Sequence, residues 1–195
     1  MHRGVPPDSF LDELIAWGTT APDILFFPNA RHDIYSNIVH KLGPWQGILH
    51  RRAAMLEVMR VLAGIESSWN WTEGLDKSKL THTVATRANT EAGAWQVSAD
   101  SMGNAQELKD FIQLRVGSVD PLDFQRAMKR DHTLAMEYIV RLLRITVRHN
   151  GPTKRKEEIN AWLRRDAVEE FLAWISPPKR ALDDIDVPQL RGRWR

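Results

Sequence analysis

Cysteine is missing altogether from these 195 residues, so neither a disulfide framework nor a thiolate metal site can be built, and the fold must hold by packing alone. No apolar run approaches the length needed to span a bilayer, so membrane insertion is not expected. The opening stretch, with Pro6, Pro7, Asp8, Asp12 and Glu13, does not make a cationic start followed by an apolar core, which argues against a secretory signal. His32, His40, His50, His82, His132 and His149 are scattered, without His-Glu-x-x-His or comparable spacing, and no metal is expected. A glycine-rich phosphate loop and a Gly-x-Ser-x-Gly elbow are also lacking, which leaves nucleotide-dependent and serine-hydrolase chemistry without support; no cofactor is expected. Repeats and low-complexity tracts are absent.

The length suits one domain with a real core. The net charge is only +2, yet the isoelectric point is about 9.0 and basic residues gather late, from Arg141, Arg144 and Arg148 through Lys154, Arg155 and Lys156 to Arg164 and Arg165. A basic surface attracts polyanions. Up to Trp174, however, Glu157, Glu158, Asp166, Glu169 and Glu170 offset this charge as solvated helix pairs. Only Arg191-Gly192-Arg193-Trp194-Arg195 has no accompanying acid. No specific nucleic-acid partner is expected.

Periodicity predicts a mainly α (α+β) chain. Asp8-Ser9 offers a cap for a helix from Phe10 to Trp17 that stops before Gly18. Pro22, Pro28 and Pro44 break the next stretch, leaving one short helix near Asp33 to Leu42. A helix over His50 to Ile65 carries Met55, Val58, Met59 and Leu62 at helical spacing. Thr81 to Thr86 and Trp95 to Val97 fit short strands. Further helices are expected over Asn104 to Leu114, over Asp123 to Arg148 with a break near Asp131 and a fresh start at Asp120-Pro121, and over Lys156 to Ile175. Residues 1–50 make an N-terminal cover, residues 51–176 the main domain, and residues 177–195, beyond Pro177-Pro178, a basic and loosely ordered tail.

Four residues beyond Leu62 stands Glu66, so a lone carboxylate shares the apolar stripe of its helix. A carboxyl half-removed from water favours its neutral form, which suits a general acid. A Glu that bends out to water or caps a backbone amide is the plain alternative. Ser67 and Ser68 read as supports beside it.

Glu66-Ser67, then Gly93-Ala94-Trp95-Gln96-Val97, then His149-Asn150-Gly151 form an ordered series. Over Leu56 to Gly151 this series resembles the lysozyme-like superfamily, in particular soluble lytic transglycosylases and goose-type lysozymes. There a Glu-Ser pair ends a helix, a Gly-Leu-Met-Gln-Ile/Val segment follows across a small sheet, and a Tyr-Asn-Ala/Gly-Gly segment comes later. The resemblance implies a lysozyme-like helical domain with its small sheet beside the catalytic helix, and an enzyme that cleaves peptidoglycan glycan strands. Two departures stand out: Ser98 occupies the position of the goose-type acid, and His149 replaces the transglycosylase Tyr.

With Ser98 there, the single-carboxylate route of the transglycosylases gains weight. Glu91, Asp76 and Glu73 lie between the first two segments and could supply a second acid, Glu91 best of the three. Gln96, Asn150 and His149 are expected against the sugar. The chain has eight tryptophans; Trp69, Trp71 and Trp95 serve either a glycan groove or the core, Trp71 being the best exposed candidate, while Trp17, Trp45, Trp162 and Trp174 are expected in the core.

The resemblance and the lack of a signal together imply a protein made in the bacterial cytoplasm that reaches the periplasm or cell wall by a non-Sec machine or by lysis. A type VI secretion effector with a cognate immunity protein, or a phage endolysin, fits that description. A lysozyme-like module that has lost catalysis and serves a secretion or phage apparatus as a binding or structural part is the alternative.

Overall fold

The computed structural model describes residues 5–29, 32–74, 86–147 and 151–176. Asp76, His149, Asn150, residues 81–85 of the first expected strand and the tail from 177 onward lie outside the described residues. The protein is mainly helical, with a small two-stranded antiparallel sheet.

Helix α3 (Ile48–Ser67) is the axis on which the rest is laid. Its residues from Arg52 to Met59 and from Val61 to Gly64 are buried, as expected of a helix covered on several sides rather than along one stripe. Helix α1 (Asp8–Thr20) crosses it. Gly18 does not end α1 as expected, because glycine is what the crossing needs: a Cβ there would stand 2.6 Å from Leu56 Cδ1. The α1 start also differs, with Pro7 rather than Asp8 or Ser9 at the cap and no side chain closing it. At its other end, Arg52 Nη1 reaches from α3 to donate to Gly18 O at 2.6 Å and Thr19 O at 3.2 Å, satisfying carbonyls that have no partner within their own helix. The same guanidinium holds Asp23, at 2.6 Å, in the 3-10 turn Asp23–Phe26.

Helix α2 (Ile34–Leu42) stands where the sequence predicts, capped by Asp33, whose side chain accepts from Ser36 N at 2.8 Å. Its Ile34, Tyr35, Ile38 and Leu42 enter the same buried cluster as Phe10, Leu14 and Trp17 of α1 and the apolar residues of α3.

Helices α4 (Gln106–Val116), α5 (Pro121–Arg130) and α6 (His132–Ile145) follow. Asp120 caps α5 through Leu122 N, with Pro121 in the first turn, and Asp131 both ends α5 and caps α6 through Leu134 N. The start at Asp120 and the break at Asp131 are therefore two capping events of one kind, and both agree with the sequence.

The last expected helix is two helices, α7 (Lys156–Asn160) and α8 (Arg165–Ile175). Between them the backbone of Arg164 is extended and its N–H turns inward to Glu57 Oε1 at 2.9 Å. A buried carboxylate thus takes an amide that a continuous helix would have used internally. The break also lifts Trp162 to 40% exposure, and Trp174 on α8 is 50% exposed; neither is in the core.

The sheet is a hairpin: β1 (Glu91–Ala92) pairs antiparallel with β2 (Val97–Ser98), Glu91 opposite Ser98 and Ala92 opposite Val97. Trp95 and Gln96 lie in its turn rather than in the strand expected there. Gly93 opens that turn at φ +75°, and a Cβ on it would meet Met128 O of α5 at 2.7 Å. Among the described residues no helix is long and apolar enough to cross a membrane.

Gly93→Ala meets both a left-handed backbone and a backbone wall, and should lose about 2–4 kcal/mol in urea unfolding. Gly117→Ala, at φ +78° with open space around its Cβ, should lose only about 1–2 kcal/mol. Equal losses at the two sites would show that the Met128 contact does not constrain the turn.

Candidate active site

Helix α3 ends abruptly at Glu66-Ser67. Ser68 and Trp69 take left-handed backbone, at φ 56° and 63°, and both amides turn back to Ala63 O. Two successive non-glycine residues in that region cost on the order of 1–3 kcal/mol each, and the surroundings offset this strain. The Trp69 indole lies flat enough on Gly64 that a Cβ there would be 2.6 Å from Cζ2, and its Nε1 donates to Arg60 O at 2.9 Å. Among the described residues the remaining non-glycine residue with positive φ is Gln96, at 45°. All three flank Glu66 or face it from the hairpin turn.

Ser67 fixes the approach of the hairpin. Its Oγ donates to Ala94 O at 2.7 Å and accepts from Asn70 N at 3.0 Å. Trp95 Nε1 donates to Met59 O at 2.9 Å, so the turn is pinned to α3 at two points. The Gln96 side chain is buried and held within its own turn, Nε2 donating to Gly93 O at 2.9 Å.

The space between the end of α3 and the hairpin is an open cleft of ≈270 Å³. Glu66, half-buried, Glu91 on β1 and Asp100 bring three carboxylates to it, and Gln96, Ser98, Ser101, Asn89 and Asn104 add amides and hydroxyls. Leu62, Trp95, Val97, Ile139 and Pro152 provide its apolar wall. Pro152 follows Gly151, at φ +125°, where a Cβ would lie 3.0 Å from Glu66 Oε1. Glu66 and the Gln96-Val97-Ser98 run therefore border one cavity, and Gly151, the described residue of the third segment, lies against Glu66 beside the lining residue Pro152.

Not every expected residue reaches it. Trp69 and Trp95 are 6% and 5% exposed with their N–H groups committed to α3 carbonyls, so they are core side chains, Trp95 with one surface on the cleft. Trp71, expected to be the most exposed of the three, is stacked on His132 with centroids 4.0 Å apart and planes 8° from parallel, beside Phe10 and Trp95. It does not line the cleft. Its stacking partner His132 pairs in turn with Glu13 of α1 at 2.5 Å, which makes Trp71 part of the seam between α1 and α6. Glu73 braces its own loop, accepting from Asn70 Nδ2 at 2.9 Å and Gly74 N at 3.3 Å.

Asn89, Asp100, Ser101 and Asn104 were not legible as site residues. A usable signal was that the 3-10 turn Ala99–Asn104 continues directly from the Val97-Ser98 strand, and it brings Asp100, Ser101 and Asn104 to the cleft. Ser101 Oγ donates to Ser98 O at 2.6 Å and accepts a hydrogen bond from Tyr138 Oη, also at 2.6 Å. Burial pushes the Tyr138 phenol far up, so it remains a donor.

The fully buried carboxylate of α3 is Glu57, not Glu66. At 0% exposure it receives Arg60 Nε at 2.6 Å, Arg60 Nη2 at 2.8 Å and Arg164 N at 2.9 Å. Burial raises its pKa against the lowering effect of those bonds. It faces away from the cleft and joins α3 to the start of α8.

Among the described residues no group of three or more His, Cys, Asp or Glu side chains is arranged to hold a metal ion. Compared with known proteins, the chain matches no family model, no curated protein and no solved structure.

Because the folded pKa of Glu57 is raised, its titration favours the fold below the ordinary carboxylate range and loses that contribution as pH rises through the folded value. The stability difference between wild type and Glu57→Gln should therefore shift against wild type from about pH 4 to pH 7; a flat difference would contradict the burial effect. Arg60→Ala strands the buried carboxylate and should cost about 3–5 kcal/mol at neutral pH, more than Glu57→Gln.

Proposed function

We propose that this chain cleaves the glycan strands of peptidoglycan, with Glu66 as general acid. The observation that carries this is the meeting of Glu66 and the Gln96-Val97-Ser98 turn and strand at one open cleft, with Gly151 closely approaching the Glu66 carboxyl from beside the lining residue Pro152. Those are the segments that resemble lytic transglycosylases and goose-type lysozymes, and their spatial convergence is independent of their order in the chain.

In the bond-breaking step Glu66 gives its proton to the glycosidic oxygen as the bond from that oxygen to the anomeric carbon breaks and positive charge develops on the ring. Glu91 takes a proton from a water whose oxygen attacks the anomeric carbon, and a reducing end results. Register supports this part for Glu91. Residues directly opposite in an antiparallel pair share a face, with Cβ atoms about 4.5–5.5 Å apart, and Glu91 stands opposite Ser98, both on the cleft. A carboxylate one strand over can thus serve the volume that an acid at position 98 would serve, and the short Ser98 side chain leaves room for it. A route with Glu66 alone has the muramic acid 6-hydroxyl attack its own anomeric carbon, its proton returning to Glu66, and leaves 1,6-anhydro ends.

Action at the bacterial cell wall follows from the same proposal; as a secreted effector the chain would need an immunity protein seated in the cleft, and as an endolysin it would not.

Mass spectrometry of purified peptidoglycan digested by wild type, Glu66→Gln and Glu91→Gln tests it. Wild type should release reducing-end products. Glu66→Gln should slow release by about 10²–10⁴-fold without changing the thermal midpoint, and Glu91→Gln should also lose activity. Anhydro ends with an active Glu91→Gln would transfer the reaction to the single-carboxylate route. No product from wild type, with the polymer still bound, would make the protein a binding module.

Gly151→Ala makes a separate prediction, since its Cβ would crowd Glu66 Oε1 at 3.0 Å. It should lower kcat at least tenfold with KM little changed, because a displacement of about 1 Å at the reacting group costs that much or more.

A further inference from the structure

Helix α3 presents a second cavity on the side turned away from Glu66. Leu62 and Glu66 border the cleft, whereas Val61, Gly64 and Ile65 border a separate pocket of ≈280 Å³, as large as the cleft itself. Its walls are the indoles of Trp69 and Trp162 with Arg60 and Arg164. The same two arginines form one wall of an adjoining hollow of ≈130 Å³ that contains Trp174, Phe171 and Val5. Trp162 and Trp174, 40% and 50% exposed, are the exposed tryptophans among the described residues, and both stand on this band, one on each side of the arginine ridge.

Both indoles keep a large share of their surface in water, and their surroundings narrow what would cover them. Arg60 is committed to Glu57 and Arg164 to Asp166, its Nε at 3.0 Å from Oδ1. The ridge is thus charged but locally neutral, and does not select a polyanion. The Arg60–Glu57 pair is already buried, with the side chains 14% and 0% exposed, but the Arg164–Asp166 pair stands in water, and an apolar protein face laid across it would strip that water at a cost that can exceed what the pair returns. A pyranose ring does not impose that cost. Its C–H face packs on an indole, and its hydroxyls can hydrogen-bond to guanidinium and carboxylate edges in place of water. Two indoles on either side of a hydrogen-bonding ridge match a neutral chain of linked sugar rings.

We propose that this band is a second, non-catalytic glycan-binding site, which holds an N-acetylhexosamine chain on the back of α3 while the Glu66 cleft works on another stretch of the polymer. It rests on the glycan-cleaving function proposed above.

The test uses the full chain carrying Glu66→Gln, so that bound polymer is not consumed, with purified sacculi and soluble chitohexaose as probes. Trp162→Ala and Trp174→Ala, both at exposed positions, should keep the parent's thermal midpoint and reduce binding to sacculi by about fivefold or more each. Indole N–H resonances of Trp162 and Trp174 should shift on titration with chitohexaose. In the Glu66 background, the same two substitutions should slow digestion of sacculi while leaving cleavage of a short soluble oligosaccharide within about twofold of wild type.

Unchanged binding to sacculi by both variants would overturn the proposal even if cleavage is intact. A dimer in sedimentation equilibrium that either substitution dissociates, with glycan binding unaltered, would also overturn it and assign the band to a second copy of the chain. Tryptophan-dependent glycan binding by a wild type that cleaves nothing would uphold the site and sink only the catalytic function.

Discussion

The burial of α3 on several sides is the constraint on which the rest depends. A helix so covered must find partners for its charged groups and must let its neighbours come close, and α3 meets most of both demands, although Arg51 Nη1 and Arg52 Nε stay buried without a hydrogen-bond partner. Arg52 spends its donors on the open end of α1 and on Asp23, Glu57 gathers two donors from Arg60 and one from the backbone before α8, and Gly64 makes room for an indole. Two tryptophans then hang from adjacent α3 carbonyls, Trp95 from Met59 O and Trp69 from Arg60 O. One brings in the hairpin and the other the strained turn that ends the helix.

The cleft is a product of those attachments. Because Ser67 and Trp95 hold the turn of the hairpin, β1 and β2 can present Glu91 and Ser98 side by side without a larger sheet to support them. A two-stranded ladder of this length would not persist alone in water; here indole and hydroxyl bonds to α3, and the close approach of Gly93 to α5, replace the missing strands. Backbone strain gathers at Ser68, Trp69 and Gln96, around Glu66, which is where a site that must hold its carboxyl in one place would be expected to store it.

The opposite side of α3 follows a different logic. The break between α7 and α8 exists because Arg164 turns its amide to Glu57, and that same break carries Trp162 out of the core. Trp162 and Trp174 lie on apolar periodic positions and read as core in the sequence. At Trp162 tertiary packing overrode that pattern, since a periodicity count registers an apolar residue but not the loss of a helical turn beside it; Trp174 lies within the unbroken α8 and is exposed on its face.

Proline positions, helical spacing and the caps of three helices were legible in the chain alone, whereas the cap expected at Asp8-Ser9 was not formed. Asp33, Asp120 and Asp131 begin α2, α5 and α6 because a short acidic side chain beside its own backbone amides is a local interaction, complete within a few residues. The Glu66-Ser67, Gln96-Val97 and Gly151 segments were legible for a similar reason, each being a short run of side chains. What the sequence could not determine were relations between distant segments: that Gly18 marks a helix crossing rather than a helix end, that Trp71 stacks on His132 instead of facing a groove, that Asp100 and Asn104 border the cleft, and that the fully buried carboxylate is Glu57. Each depends on which surface of α3 a distant segment meets, and that is decided by close packing across the whole core rather than by any local pattern.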